Sequence, residues 1–386
     1  MSRPLLGKVC VVTGASRGIG KGIALQLGEA GATVYITGRT FTPNDTPLPG
    51  SLQETAKQVE ERGGTCIPVK CDHTDDKQVE ELFNKINKEQ NGRLDLLVNN
   101  AYSGVQAMLE GPTNKFWELD PGFWNTVNKV GLRGHYVASI FAARMMVPAK
   151  QGLIINISSP GGLTYIVSVA FGVGKAGVDR MARDCAHELR EYNVAAVSLH
   201  PGAVKTEMVM DMLTRVQNGG KEYLSTKLFE NAESAEYIGK GVVHLASDPK
   251  IMKKTGCILS SGNLALEYGF TDVDGKPRKW GQLDKMGAIK STLDEQNTSC
   301  YVIVGDYNYL GNMNNSLFAK HMTRSWKYSS KPGWFGYVVD LYNVSRVLWE
   351  KLYAAEKTMQ GPLFDFRKKT KDANKFIKTR ETVLLK

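Results

Sequence analysis

The stretch Lys8–Gly20, "KVCVVTGASRGIG", constrains the fold more than any other part of the chain. A short run of valines and a cysteine ends in glycine and passes at once into a helical pattern, "GIALQLGEAG". Gly14, Gly18 and Gly20 let the backbone turn sharply and approach a ligand closely, which side-chain-bearing residues resist. A turn of this kind opens the N-terminus of a helix, where free N–H groups and the positive end of the dipole bind phosphate. Three glycines alone are a weak signal. Their place between strand and helix predicts a dinucleotide-binding turn rather than a plain βα connection, with Thr13, Gly14, Ser16, Arg17, Gly18, Ile19 and Gly20 as its residues.

The pattern then repeats. The apolar runs "TVYITGR", "TCIPVKCD", "LDLLVNNA", "GLIINISS" and "VAAVSLHPG" alternate with amphipathic helices such as "LQETAKQVEERGG" and "DKQVEELFNKINKEQ". A long helix is expected around "FWNTVNKVGLRGHYVASIFAARMMVPA", another from about Phe171 to Tyr192, and a last strand in "GCILSSGNLALEYG". Strands apolar on both faces and separated by helices predict an α/β fold, a doubly wound parallel sheet of Rossmann type. The prolines and polar residues of "TFTPNDTPLPGS" mark a loop insertion. At 386 residues and 42% hydrophobic, the chain can bury a full core and carry an extension besides.

Several classes of protein are disfavoured. The 6 cysteines contain no C-x-x-C pair and do not resemble a disulfide framework, which fits a reducing compartment. The N-terminus moves straight into a strand pattern rather than a secretory signal, and the reading is of a cytoplasmic protein. No uncharged apolar run reaches the roughly 18 residues of a membrane span. The net charge of +10 is read as surface lysines plus residues recruited by a phosphate-bearing cofactor. Tyr307, Tyr309 and Tyr328 are not arranged as a nucleic-acid stacking platform.

The end of the second strand reads the ribose. An acid there would hydrogen-bond the hydroxyls of NAD and repel a phosphate. This chain places Arg39 after Gly38 and Arg17 inside the turn, and two guanidinium groups favour NADP(H), with NAD(H) as the alternative. Asp72 and His73 follow the third strand, where an adenine edge can be read, and Asn99 begins the "NNA" that ends the fourth.

Taken in order, TGxxxGIG, the basic residue after the second strand, Asp72, NNA, a serine after the fifth strand, an aromatic-xxx-Lys helix and the "PG" of "HPGAVKT" resemble the short-chain dehydrogenase/reductase family. The resemblance covers roughly residues 5 to 280, and "NISSPGG", "GLRGHY" and "EYGFTDVDGKP" look closest to its dehydrogenase/reductase member 1 branch. It implies an oxidoreductase that interconverts a carbonyl and a hydroxyl on a small molecule, commonly as a homo-oligomer. In this family a tyrosine moves the proton, a lysine lowers its pKa and holds the nicotinamide ribose, and a serine binds the substrate oxygen. An asparagine on the preceding helix anchors a water relay. Lys175 matches the lysine and Ser158 the serine, with Ser159 its neighbour, while Pro201 and Gly202 match the cofactor-binding "PG". The tyrosine position holds Phe171, and the asparagine position holds Gly131, a glycine the branch shares; Asn128 is the nearest amide that could replace it.

Phenylalanine keeps the ring and loses the proton, and positioned acid–base catalysis is worth about 10²–10⁴-fold. Two functions therefore stand side by side: an oxidoreductase of weakened or lost activity, and a cofactor-binding pseudoenzyme serving as sensor or assembly partner. Tyr165 is the other phenol near the helix, read mainly as a wall aromatic. His200 reads as a packed strand-end residue, and His135 and His187 have no partner at metal-ligand spacing, so no metal is expected. The specificity loop, roughly Lys205 to Lys227, does not name a substrate.

The domain is expected to span 1–290 and the extension 291–386. The segment holding Trp334, Val338, Leu341, Leu348 and Leu352 has helical periodicity, interrupted by Asp340, Arg346, Glu350 and Lys351, which excludes a simple membrane span. A basic tail follows. The extension reads either as a helix packed on its own domain with a solvated tail, or as a surface lying on an anionic membrane or on another subunit.

Overall fold

The computed structural model describes residues 3–46, 48–109, 115–219 and 229–278. The extension 291–386, and part of the specificity loop, lie outside the described residues.

Among the described residues, seven strands form one parallel sheet: β1 (Val9–Val12), β2 (Thr33–Gly38), β3 (Thr65–Lys70), β4 (Leu96–Asn99), β5 (Gly152–Ile157), β6 (Val194–His200) and β7 (Ile258–Ser260). Their order is β3-β2-β1-β4-β5-β6-β7, and every neighbouring pair runs parallel. The order reverses between β1 and β4, the topological switch point where such sheets bind ligands. The doubly wound α/β sheet expected from the alternating pattern is thus the fold observed.

The helices are α1 (Gly18–Glu29), α2 (Leu52–Glu61), α3 (Asp76–Glu89), α4 (Val105–Leu109), α5 (Phe123–Asn128), α6 (His135–Ala149), α7 (Val169–Leu189), α8 (Glu207–Gln217), α9 (Ala235–Ser247) and α10 (Ser261–Tyr268). They cover both faces of the sheet. On one side, β-strand residues such as Val12, Ile36 and Ile155 pack with Ile23 and Leu27 of α1 and Ile238 and Val242 of α9. On the other, Val11, Tyr35 and Ile154 pack with Phe83 and Ile86 of α3, Ala142 of α6 and Ala186 of α7. Central strands buried on both faces explain why they read as continuous apolar runs.

Two details differ from the pattern expected. The last strand is only Ile258–Ser260, because Ser260 accepts a hydrogen bond from the Asn263 N–H and starts α10. The long helix after the fourth strand is two α-helices, α5 and α6, joined by a π-helical turn at Lys129–Gly134. Such wide turns are frequent at functional sites.

Candidate active site

The glycine turn is pinned to the end of β4. The buried Thr13 hydroxyl accepts the N–H groups of Asn100 and Ala101, at 2.9 and 3.0 Å. The Asn100 amide donates back to the carbonyls of Thr13 and Gly14, at 2.8 and 2.9 Å. Gly14 has φ +68°, and a Cβ there would lie 2.6 Å from the Ala101 Cα, so both conformation and space require glycine. Gly18 also has positive φ, and its N–H donates to the Glu207 carboxylate at 2.8 Å. A carboxylate therefore already sits at the start of α1, which shows that the donors there accept an anion. A nicotinamide dinucleotide fits this turn by the same chemistry.

Arg17 is half-buried, and its guanidinium donates to the carbonyls of Pro49 and Gly50, at 2.7 and 2.8 Å. It ties the 40–51 insertion over the turn. Burial lowers its pKa, opposed by the charge of Glu207. Arg39 is exposed at the end of β2, within electrostatic range of Arg17. Ser16 is buried, and Ile19 packs on the core.

Asn99 is fully buried, its amide donating to Asn156, Ser139 and the His135 carbonyl. The amide at the turn is its neighbour Asn100, the second residue of the same dipeptide. Asp72 accepts from the Thr74 N–H, and His73 is buried and shares a hydrogen bond with the Thr37 hydroxyl at 2.7 Å. Burial pushes the His73 imidazole down to about 4.

Helix α7 builds the corner that holds Phe171, Lys175 and Ser158. Ser168 caps it by accepting the Phe171 N–H, which sets Phe171 in the first turn and Lys175 one turn on, along the same face. Both side chains are buried. The Phe171 ring lies against Gly161, where a Cβ would come within 2.4 Å of its Cε1, and meets the Tyr102 ring edge-on at 6.4 Å. The Lys175 ammonium donates to the Ile157 carbonyl at 3.1 Å and stands 5.0 Å from the Tyr102 ring centroid. Burial lowers its pKa to about 8, opposed by Asp179. The Ser158 hydroxyl is buried and donates to the Lys175 backbone carbonyl at 3.2 Å. Ser159 accepts from the Gly161 N–H.

The composition of the corner explains Gly131. It sits in the π-helical turn, and a Cβ there would lie 2.4 Å from the Tyr102 Cδ2. Tyr102 fills the space that a side chain at position 131 would need. The Asn128 amide donates to the Ala170 carbonyl at 3.0 Å, and its oxygen packs on Gly174. Tyr102 was invisible to motif reading, because "NNA" ends one residue before it. Its only signal was an aromatic immediately after the motif.

Of the remaining candidates, Tyr165 is 74% exposed and donates to the Val167 carbonyl, and His187 lies exposed on α7. His200 is buried, with its Nε2 2.9 Å from an Asp179 oxygen that also accepts from Ser198. His135 donates to the Ala101 carbonyl, and burial with the charge of Lys175 drives it down to about 3. Pro201 and Gly202 follow β6, above Glu233, a buried carboxyl raised to about 8 by burial and hydrogen-bonded by Ser261. Among the described residues no group of His, Cys, Asp and Glu could hold a metal ion. No described helix is long and apolar enough to cross a membrane.

This fold, with a glycine turn at its switch point and a lysine one turn beyond a buried ring, defines a class. The family model for short chain dehydrogenases matches residues 8–217, and the chain belongs to the short-chain dehydrogenase/reductase family of oxidoreductases, which bind nicotinamide cofactors. It is 52% identical over 282 residues to dehydrogenase/reductase SDR family member 1 of Mus musculus, covering 72% of this chain and 87% of that one. The human protein of the same name is 50% identical over 279 residues, with 72% and 87% covered. A solved metagenomic short-chain oxidoreductase in complex with NADP is similar with a TM-score of 0.51 and 27% identity, covering 67% of this chain and 96% of that one.

Proposed function

We propose that the chain binds NADP(H) in preference to NAD(H) and acts weakly, or not at all, on a small-molecule carbonyl or alcohol. One observation carries this reading: the buried ring one turn ahead of Lys175 is Phe171, which has no proton to give. When bound, the dinucleotide would supply or accept hydride. The glycine turn would hold its pyrophosphate, Arg39 a 2′-phosphate, and Lys175 the nicotinamide ribose. Ser158 would offer its hydroxyl to a substrate oxygen after leaving the Lys175 carbonyl. Tyr102 turns its ring toward the ammonium, and burial raises its pKa.

The second reading, a cofactor-binding pseudoenzyme acting as sensor or assembly partner, is favoured by the same corner. The anion site is assembled while the proton donor is replaced by hydrocarbon. NADPH consumption against a carbonyl panel, run beside calorimetric titration of NADPH, separates the two. Binding without turnover supports the pseudoenzyme, and ordinary turnover rates eliminate it. We further propose a domain boundary near residue 290, a homo-oligomeric state, and a role for the extension in association with a membrane or a second subunit. A chain ending at Lys290 should fold and bind NADPH. An insoluble or cofactor-blind product would place the extension within the domain.

A further inference from the structure

We propose that Glu207 and the pyrophosphate of the dinucleotide compete for the same donors at the start of α1, so that cofactor binding and release of α8 from the glycine turn are a single event. The proposal rests on the cofactor reading above and concerns the residue that the cofactor must displace.

Helix α1 has no cap of its own. Arg17 occupies the cap position without a side-chain cap bond, and the first turn contains no acidic residue. The missing acceptor comes from the far side of the site, 189 residues away in sequence, where Glu207 Oε2 accepts the Gly18 N–H at 2.8 Å. Its other oxygen lies 4.0 Å from the Lys21 ammonium. The start of α8 is seated directly on the turn: a Cβ on Gly18 would come within 3.3 Å of the Thr206 methyl. A pyrophosphate resting on the N-terminus of α1 would place its own negative charge against that carboxylate. Two anions cannot share one amide hydrogen, and like charges at contact distance repel.

The exchange is easy for this helix. Glu207 is also the first residue of α8, so its carboxylate keeps a favourable place near that helix's own N-terminus after leaving Gly18. Its side chain is 31% exposed, at the mouth of the site, where an incoming ligand can reach it. Helix α8 packs through Val209 and Met212 on a small apolar cluster with Phe229, Ala232 and Val105, separate from the two cores that flank the sheet. It can therefore shift without disturbing either. Since α8 begins immediately after Pro201–Thr206, the same movement reshapes the segment beside the Phe171–Lys175 corner.

Calorimetry of the full chain and of Glu207→Gln and Glu207→Ala, each titrated with NADPH and with adenosine 2′-monophosphate, tests this. Both variants should bind NADPH about tenfold more tightly, because a charge-assisted acceptor no longer competes, while adenosine 2′-monophosphate, which lacks the pyrophosphate, should bind all three alike. Amide hydrogen exchange at Gly18 and through α8 should be faster in both variants before any cofactor is added. Unchanged or weaker NADPH binding in both variants, with the parent binding normally, overturns the proposal and leaves the cofactor reading standing. A parent that binds neither NADPH nor NADH overturns both.

Discussion

The Lys175 ammonium stands 5.0 Å from the centroid of the Tyr102 ring, and that ring in turn meets Phe171 edge-on. The lysine is thus held between the Ile157 carbonyl and an aromatic face. A ring quadrupole favours the charged form, while burial disfavours it. Burial wins, and the group falls from its ordinary 10.5 to about 8.

That shift has a measurable sign. Between about pH 8 and 10.5 the unfolded chain still holds the lysine proton and the folded chain has lost it, so stability gains with rising pH from this group. Below pH 8 both states are protonated, and the folded chain carries the full cost of a buried cation. Relative to Lys175→Met, the parent should gain up to about 1.4 kcal/mol per pH unit across that window and nothing below it. Urea titrations of both proteins from pH 7 to 10.5 measure the difference. Parallel stability curves would show that Lys175 is not shifted.

The second prediction concerns Gly131 and Tyr102. A methyl at 131 would enter the Tyr102 ring, which cannot retreat without disturbing Phe171 or Lys175. Gly131→Ala should therefore cost about 1–3 kcal/mol, as overpacking does, and Tyr102→Ala should remove most of that extra cost. A double-mutant cycle by chemical denaturation reads the coupling. Additive effects would mean that the π-helical turn absorbs the methyl on its own.

The fold was legible because its signals are local. Strands buried on both faces read as apolar runs, and Gly14 and Gly18 announce a backbone that needs positive φ. Lys175 and Ser158 were legible as spacings, and both lie buried at one corner. What escaped was set by packing between distant segments. Nothing in "NNA" says that Asn99 turns into the core while Asn100 laces the turn. Nothing near "TGASRGIG" says that Glu207 will cap it, or that Arg17 will be drawn to the carbonyls of Pro49 and Gly50. The last strand is shorter than its sequence pattern suggests, because a serine that caps a helix and one that ends a strand look alike in sequence.

Arg39 carries the third prediction. With Arg17 committed to the 40–51 insertion, Arg39 is the exposed guanidinium at the end of β2, and its charge should set cofactor preference. A charge-assisted contact to a 2′-phosphate is worth roughly 1.5–3 kcal/mol. NADPH should bind more tightly than NADH, and Arg39→Asp should reverse the order by at least about tenfold. Arg17→Met should act differently, loosening the insertion and weakening both cofactors together. Equal affinity of the parent for NADPH and NADH would remove the 2′-phosphate from the account.

The last prediction returns to Phe171. Its ring is buried one turn ahead of Lys175, so a hydroxyl added to it enters a site that already contains a lysine shifted to about 8. Phe171→Tyr adds one oxygen to a ring that packs against Gly161 and Tyr102. The new phenol would stand near a cation that favours its ionised form, which is the direction a proton donor and acceptor working near neutral pH requires. Phe171→Tyr should raise kcat/KM for small carbonyls by about 10²-fold or more, leave the Kd for NADPH unchanged, and cost little stability. Lys175→Met in that background should abolish the gain, since phenol and cation act as a unit. Steady-state assays on the parent and both variants, with calorimetric cofactor titrations, check each arm. If the parent already turns over at ordinary rates and Phe171→Tyr changes nothing, the proton reaches substrate by another route, with Tyr165 or a lysine-bound water the next groups to remove.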